Sequence, residues 1–167
     1  TEARTWLGTP WHHMGDVRGV GVDCVMLLVR VFYACGLVPL DADPRPYAQD
    51  WHLHRSEEMY MAGINQYTEP TDSPQPGDIA MFQFGRCVAH AAIVVEWPLV
   101  IHAYMNHGAV VLSDVSTSQY LQSRLRGFFT MKGACACRDF WGVERPSRPA
   151  RRSSADQRRS ARSARCR

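Results

Sequence analysis

Residues 21–36 read Gly-Val-Asp-Cys-Val-Met-Leu-Leu-Val-Arg-Val-Phe-Tyr-Ala-Cys-Gly. Asp23 is a good N-cap, because a short carboxylate there accepts the orphan N–H groups of a first helical turn. Gly36 stands where a left-handed C′ residue ends a helix. The spacing predicts a helix over Cys24–Cys35, apolar nearly all round with Arg30 its only charge, running through the middle of the domain. Before it, Glu2–Leu7 reads as the end of a helix stopped by Gly8 and the pair Thr9-Pro10. A loop from Trp11 to Val22, with glycines at 15, 19 and 21, then leads into Asp23. After it come a proline-containing loop over residues 39–50 and a short surface helix from Ser56 to about Asn65.

Beyond Pro74-Gln75-Pro76-Gly77 the period changes from helical to extended. Ile79–Phe84, Val88–Val95, Leu99–Tyr104 and Ala109–Ser113 are short β-rich runs, and Gly127–Met131 adds one more. Turn chemistry separates them at Gly85-Arg86, Glu96-Trp97-Pro98 and Asn106-His107-Gly108. Helices first and an antiparallel meander second is the α+β class.

The 167 residues, 46% of them hydrophobic, suit one domain with a real core. No window reaches the roughly 18 consecutive apolar residues of a membrane span. Charge is unevenly spread: residues 1–137 carry nine Lys/Arg against thirteen Asp/Glu, a net of −4, whereas residues 138–167 carry ten Arg and three acids, a net of +7. From Arg145 to Arg167 there is no Leu, Ile, Val or aromatic residue, so burial there does not offset ordering entropy and the tail is expected to be disordered. A nucleic-acid-binding role for this arm accounts for 30 residues and leaves the other 137 unexplained, so nucleic acid is not an expected partner.

The six cysteines (24, 35, 87, 135, 137 and 166) form no paired disulfide pattern. Cys35 and Cys87 read as small core residues. Cys24 is placed otherwise, at a helix start whose unpaired N–H groups and dipole are expected to depress a thiol pKa. A thiol nucleophile needs a base within hydrogen-bond reach and a third group to orient it. His90 and His102 both lie inside β-rich runs, where histidine is out of character. A three-residue loop at Glu96-Trp97-Pro98 sets Ala92 opposite His102 and puts the two histidines on one face as a diagonal pair. A two-residue loop turns one of them to the other face. His12, His13, His52, His54 and His107 lack any HExxH or CxxC companion, so no metal site and no cofactor is expected. Trp6, Trp11, Trp51 and Trp97 are read as core aromatics with a cleft-lining role as the rival.

Gly8-Thr9-Pro10-Trp11, Gly21-Val22-Asp23-Cys24 before an apolar helix, Pro76-Gly77-Asp78-Ile79 entering the first strand, and His90-Ala91-Ala92-Ile93 with His102 twelve residues on together resemble the NlpC-type cell-wall cysteine peptidases. The resemblance covers about residues 3–113. With Asp50-Trp51-His52-Leu53-His54 included, the pattern looks most like the branch found in phage tails and gene transfer agents. It implies a papain-like α+β fold over residues 1–133, with 134–167 as a basic tail, and cleavage of an amide bond in peptidoglycan stem peptides. Carried over, Cys24 is the nucleophile, His90 the base and His102 the orienting residue. Trp11 stands where the family usually has a tyrosine near the oxyanion, so Trp11, His12 and Asp23 are the candidates for contacting substrate or oxyanion. Val25-Met26 replaces the usual Ser-Gly pair after the cysteine. With no visible signal peptide, the chain is expected to be made in the cytoplasm and carried in a phage-like tail or delivered to the cell envelope. Other tail proteins are then its partners. The alternative is a catalytically weak or inactive tail-tip subunit that keeps the fold.

Overall fold

The computed structural model describes residues 2–50, 53 and 59–133. The expected basic tail, Trp51 and His52, and the expected helix start at Ser56 lie outside the described residues. A 3-10 turn at Glu2–Trp6 takes the place of the expected helix end. Next come a small hairpin, β1 (Asp16–Val17) and β2 (Gly21–Val22), then α1 (Cys24–Ala34) and α2 (Met59–Tyr67). The second half holds β3 (Thr68–Thr71), β4 (Ile79–Phe84), β5 (Cys87–Glu96), β6 (Leu99–Tyr104), β7 (Ala109–Asp114) and β8 (Leu125–Met131). Strands β3 to β8 form one antiparallel sheet in the order β3-β8-β4-β5-β6-β7. This is the α+β architecture expected from the sequence.

Three of these elements were not legible as strands. β3 reads Thr-Glu-Pro-Thr, and Pro70 is tolerated because β3 pairs on one side only, with β8. The Trp11–Val22 loop folds back on itself as β1 and β2, and Gly15 and Gly21 serve close backbone packing. A Cβ on Gly21 would stand 2.7 Å from the His12 Cβ, and one on Gly15 would stand 2.7 Å from the Gly21 carbonyl oxygen.

The sheet carries a core on each face. α1 buries Met26, Leu27, Val31 and Phe32 in a cluster with Ala91, Ile93, Ile101 and Ala103. On the other face Ala80, Phe82, Ala92, Val94 and Val100 pack with Val115 and Leu121. Each large side chain buried in this way contributes about 1.5–3 kcal/mol. Segment 8–12 stitches the helix start to the sheet. Gly8 N–H and Trp11 N–H donate to the Val110 and Gly108 carbonyls, while Val22 N–H donates to Pro10.

Asp23 concentrates the polar contacts at this junction. It is 3% exposed. Oδ1 accepts from the N–H groups of Val25 (3.1 Å) and Met26 (2.9 Å), and Oδ2 accepts from Met14 N–H at 2.7 Å. The Tyr47 hydroxyl lies within 2.9 Å of both oxygens. Arg45 reinforces the same loop by donating to the Met14 carbonyl and pairing with Asp16 and Asp43. Asp23→Ala therefore orphans a helix start, a loop N–H and a tyrosine hydroxyl together. A loss of at least about 2 kcal/mol in urea unfolding is expected, and a loss below 0.5 kcal/mol would refute this role for the carboxylate.

Candidate active site

Cys24 is the first residue of α1 and is half-buried. Its sulfur lies near the Tyr60 hydroxyl and the Ala91 N–H, which both favour the thiolate. The Tyr60 hydroxyl donates to the Cys24 carbonyl at 3.2 Å. Burial, and after it the neighbouring Asp23 carboxylate, push the thiol up to about 12 despite these neighbours. This corrects the expectation of a depressed pKa. The Val25 and Met26 N–H groups that would favour a thiolate are already taken by Asp23, whose negative charge then sits beside the sulfur.

The two histidines meet on one face. His90 pairs across the sheet with Phe82 and shares its face. His90 Nε2 lies 2.7 Å from His102 Nδ1, with His90 4% and His102 0% exposed. The connection between their strands differs from the three-residue loop. Glu96 pairs with Leu99, so Trp97-Pro98 is a two-residue turn that alone would have turned one histidine away. A bulge at Val95 restores the register, and Val94 faces Val100 and Ile93 faces Ile101 as the longer loop required. β5 and β6 pair only over this outer stretch, from Ile93 to Glu96. Nearer the histidines the Ala91 N–H turns to the Cys24 sulfur instead, which places the nucleophile candidate beside the residue that follows His90.

The surroundings hold both rings in place. Phe84 stacks on His90, with centroids 4.8 Å apart and planes 5° apart, and Tyr104 stacks on His102 at 4.9 Å and 15°. His102 Nε2 reaches Ser113 Oγ at 3.0 Å. Burial first, and the other imidazole second, holds His90 well below the ordinary histidine value. Burial lowers His102 to about 4, with His107 adding to the shift. Both rings are therefore neutral at pH 7.

The other sequence candidates lie close by in sequence but have different surroundings. Trp11 packs its ring against the core on the α1 side, and its backbone bridges Val22. His12 is exposed, with Nδ1 3.0 Å from the His13 carbonyl. Asp23 is saturated by protein donors, as described above. His13, not His12, approaches Asp23, at 3.7 Å, and its Nε2 contacts the Tyr47 carbonyl at 3.0 Å. Met26 is fully buried in the core and Val25 half-buried, so the pair that replaces Ser-Gly is absorbed by packing. Trp6 is core, and Trp97 packs edge-on against Phe128. Among the described residues, no group of three or more His, Cys, Asp or Glu side chains converges as metal ligands would. Tyr47, Tyr60, Phe84, Tyr104 and Ser113 were not found from sequence. Their positions in a loop, a helix and the ends of strands carry no local mark of a site.

The neutral histidines couple stability to pH. Their folded-state pKa values lie below the unfolded value of 6.5, so the unfolded chain binds more protons as pH falls from about 6.5 to about 4. The stability they contribute is full above pH 6.5 and lost through that window. The melting temperature should fall across it, and His102→Asn should flatten the slope. A wild-type melting temperature constant from pH 7 to 4.5 would contradict the burial account.

Residues 8–130 match the NlpC/P60 family. A lipoprotein-like NLP/P60 family protein of Staphylococcus aureus superposes with a TM-score of 0.54 at 25% identity, over 77% of this chain and 38% of that one. The NlpC/p60 domain of the peptidoglycan hydrolase SagA gives 0.51 at 17% identity, over 77% and 92%. The peptidoglycan hydrolase RipB of Mycobacterium tuberculosis gives 0.50 at 17%, over 77% and 60%. The chain thus spans well under two thirds of the staphylococcal protein, and no curated protein matches it. With the match covering the helix that starts at Cys24 and both histidine strands, the chain belongs to the NlpC/P60 family.

Proposed function

We propose that this chain is a cysteine peptidase that hydrolyses an amide bond in peptidoglycan stem peptides. The observation that carries the reading is the buried His90–His102 hydrogen bond of 2.7 Å, beside the Ala91 N–H that holds the Cys24 sulfur. Family membership and the peptidoglycan hydrolases among its structural neighbours support the substrate class.

In this reading Cys24 and His90 are both neutral before substrate binds, so the proton moves as the sulfur attacks. His90 uses Nε2 toward His102, which leaves Nδ1 to accept the thiol proton. The Cys24 sulfur bonds to the amide carbon, and the tetrahedral intermediate collapses when His90 returns the proton to the leaving amine. Water, deprotonated by the same nitrogen, then hydrolyses the thioester. Because Asp23 takes the Val25 and Met26 N–H groups, the oxyanion falls to the N–H of Cys24 itself. Trp11 and His12, on the segment bonded to Val22, are the side-chain candidates beside it. A cavity of about 600 Å³, with walls that include Val25, Leu28, Tyr47, Tyr60 and Ile64, runs between α1, α2 and residues 38–50 and offers room for a peptide side chain. The sequence pattern around Asp50–His54 supports placing the enzyme in the tail of a phage-like particle, acting on the cell envelope with other tail proteins as partners.

Digestion of purified muropeptides followed by mass spectrometry tests the activity. The wild-type chain should release a fragment of defined mass, and Cys24→Ala and His90→Asn should each lose at least about 10³-fold in turnover. His102→Asn, which keeps a hydrogen-bonding side chain, should retain more activity than His102→Ala. Intact muropeptides after prolonged digestion with wild-type protein would favour the structural tail-tip reading instead.

Alkylation separates the sources of thiol activation. With burial and Asp23 both opposing the thiolate, His90 is the group left to activate the sulfur. Iodoacetamide should therefore label Cys24 in His90→Asn only as the pH rises into the alkaline range. Unchanged labelling of that variant near pH 7 would show that the helix start alone suffices.

A further inference from the structure

We propose that Ser113 is a positioning residue that keeps the His90–His102 pair in the one tautomer able to accept a proton from Cys24. The inference rests on the reading of His90 as base.

A neutral imidazole carries a single N–H, so two imidazoles joined through one hydrogen bond have two proton arrangements. In the first, His90 holds its proton on Nε2 and donates to His102 Nδ1. His90 Nδ1 is then bare and basic, and His102 must carry its own proton on Nε2, pointing at Ser113 Oγ 3.0 Å away. In the second, His102 holds its proton on Nδ1 and donates to His90 Nε2. The His90 proton is then on Nδ1, where it blocks the base, and His102 Nε2 is a bare acceptor. The proton position at Ser113 is therefore linked to the state of a nitrogen two rings away.

The hydroxyl can accept in the first arrangement or donate in the second, but the first depends on it more, and the reaction needs the first. His102 is 0% exposed, so a proton on its Nε2 has no water to bond and needs Ser113 as acceptor. Once His90 accepts the thiol proton, it carries N–H on both nitrogens, and Nε2–H must donate to a bare His102 Nδ1. Only the first arrangement provides this without moving a second proton. The fold fixes the geometry: His102 pairs with Val111 across β6 and β7, which puts Ser113 on the same face as its diagonal neighbour. Tyr104, stacked on His102, holds the ring plane in line with the hydroxyl. Without the hydroxyl a proton on His102 Nε2 is a buried orphan, so the pair shifts toward the blocked arrangement.

The test reads tautomers directly, by long-range proton–nitrogen correlation on the full chain labelled with nitrogen-15 histidine at pH 7. Wild-type protein should show both His90 and His102 protonated on Nε2. Ser113→Ala should move His102 toward the Nδ1-protonated form and lower kcat on muropeptides by about 10-fold with KM unchanged. Ser113→Thr, which keeps a hydroxyl, should restore both. A wild-type His102 protonated on Nδ1, or a Ser113→Ala spectrum with His102 still protonated on Nε2, would overturn the proposal. Wild-type protein that cleaves no muropeptide would overturn the hydrolase reading, whereas the spectra still decide what Ser113 does.

Discussion

The carboxylate of Asp23 is the contact on which the site depends. A helix start leaves backbone donors without partners, and a loop packed over it adds more. One buried side chain satisfies both sets, accepting from Val25, Met26, Met14 and the Tyr47 hydroxyl. The helix that presents Cys24, the loop before it and the loop around residue 47 are thus tied to a single pair of oxygens. The same contact sets the electrostatics of the thiol. A carboxylate one residue away opposes a thiolate, and by occupying the first-turn N–H groups it removes the donors that would have favoured one.

The sheet meets the second requirement, which is to bring two histidines twelve residues apart onto one face. A two-residue turn is the tight way to join β5 to β6, but here it gives the wrong parity. The bulge at Val95 adds one residue on one strand and so corrects the parity while keeping the turn. Beyond Ile93 the strands give up their mutual pairing, and the amide of Ala91 is redirected to the sulfur. Helix and histidine pair pack against different faces of the sheet, and the Ala91 N–H beside the Cys24 sulfur is the link between them.

Burial then sets the chemistry that this geometry supports. His90 and His102 sit among Phe82, Phe84 and Tyr104, where a charge costs more than in water. The thiol and the two imidazoles are neutral in advance. In the proposed reaction proton transfer has to accompany bond formation, and the proposed role of the hydrogen-bonded chain from His90 through His102 to Ser113 is to order the acceptor nitrogen beforehand.

Much of this was readable in the residues themselves, because the signals are local. Asp23 before an apolar run and Gly36 after it delimit α1 through capping geometry, which needs only neighbouring residues. Alternation and turn chemistry delimit β4 to β7 in the same way. Cys24, His90 and His102 stand out by composition, as polar groups in apolar company. Tertiary structure decided what depends on long-range contacts. β3 is a strand only because β8 lies beside it, the bulge at Val95 appears only in the register, and Ser113 and Tyr60 join the site from β7 and α2. The thiol pKa belongs with these. Helix position by itself argued for a lowered value, but the net effect sums burial and the Asp23 charge, and burial exists only once the chain has folded.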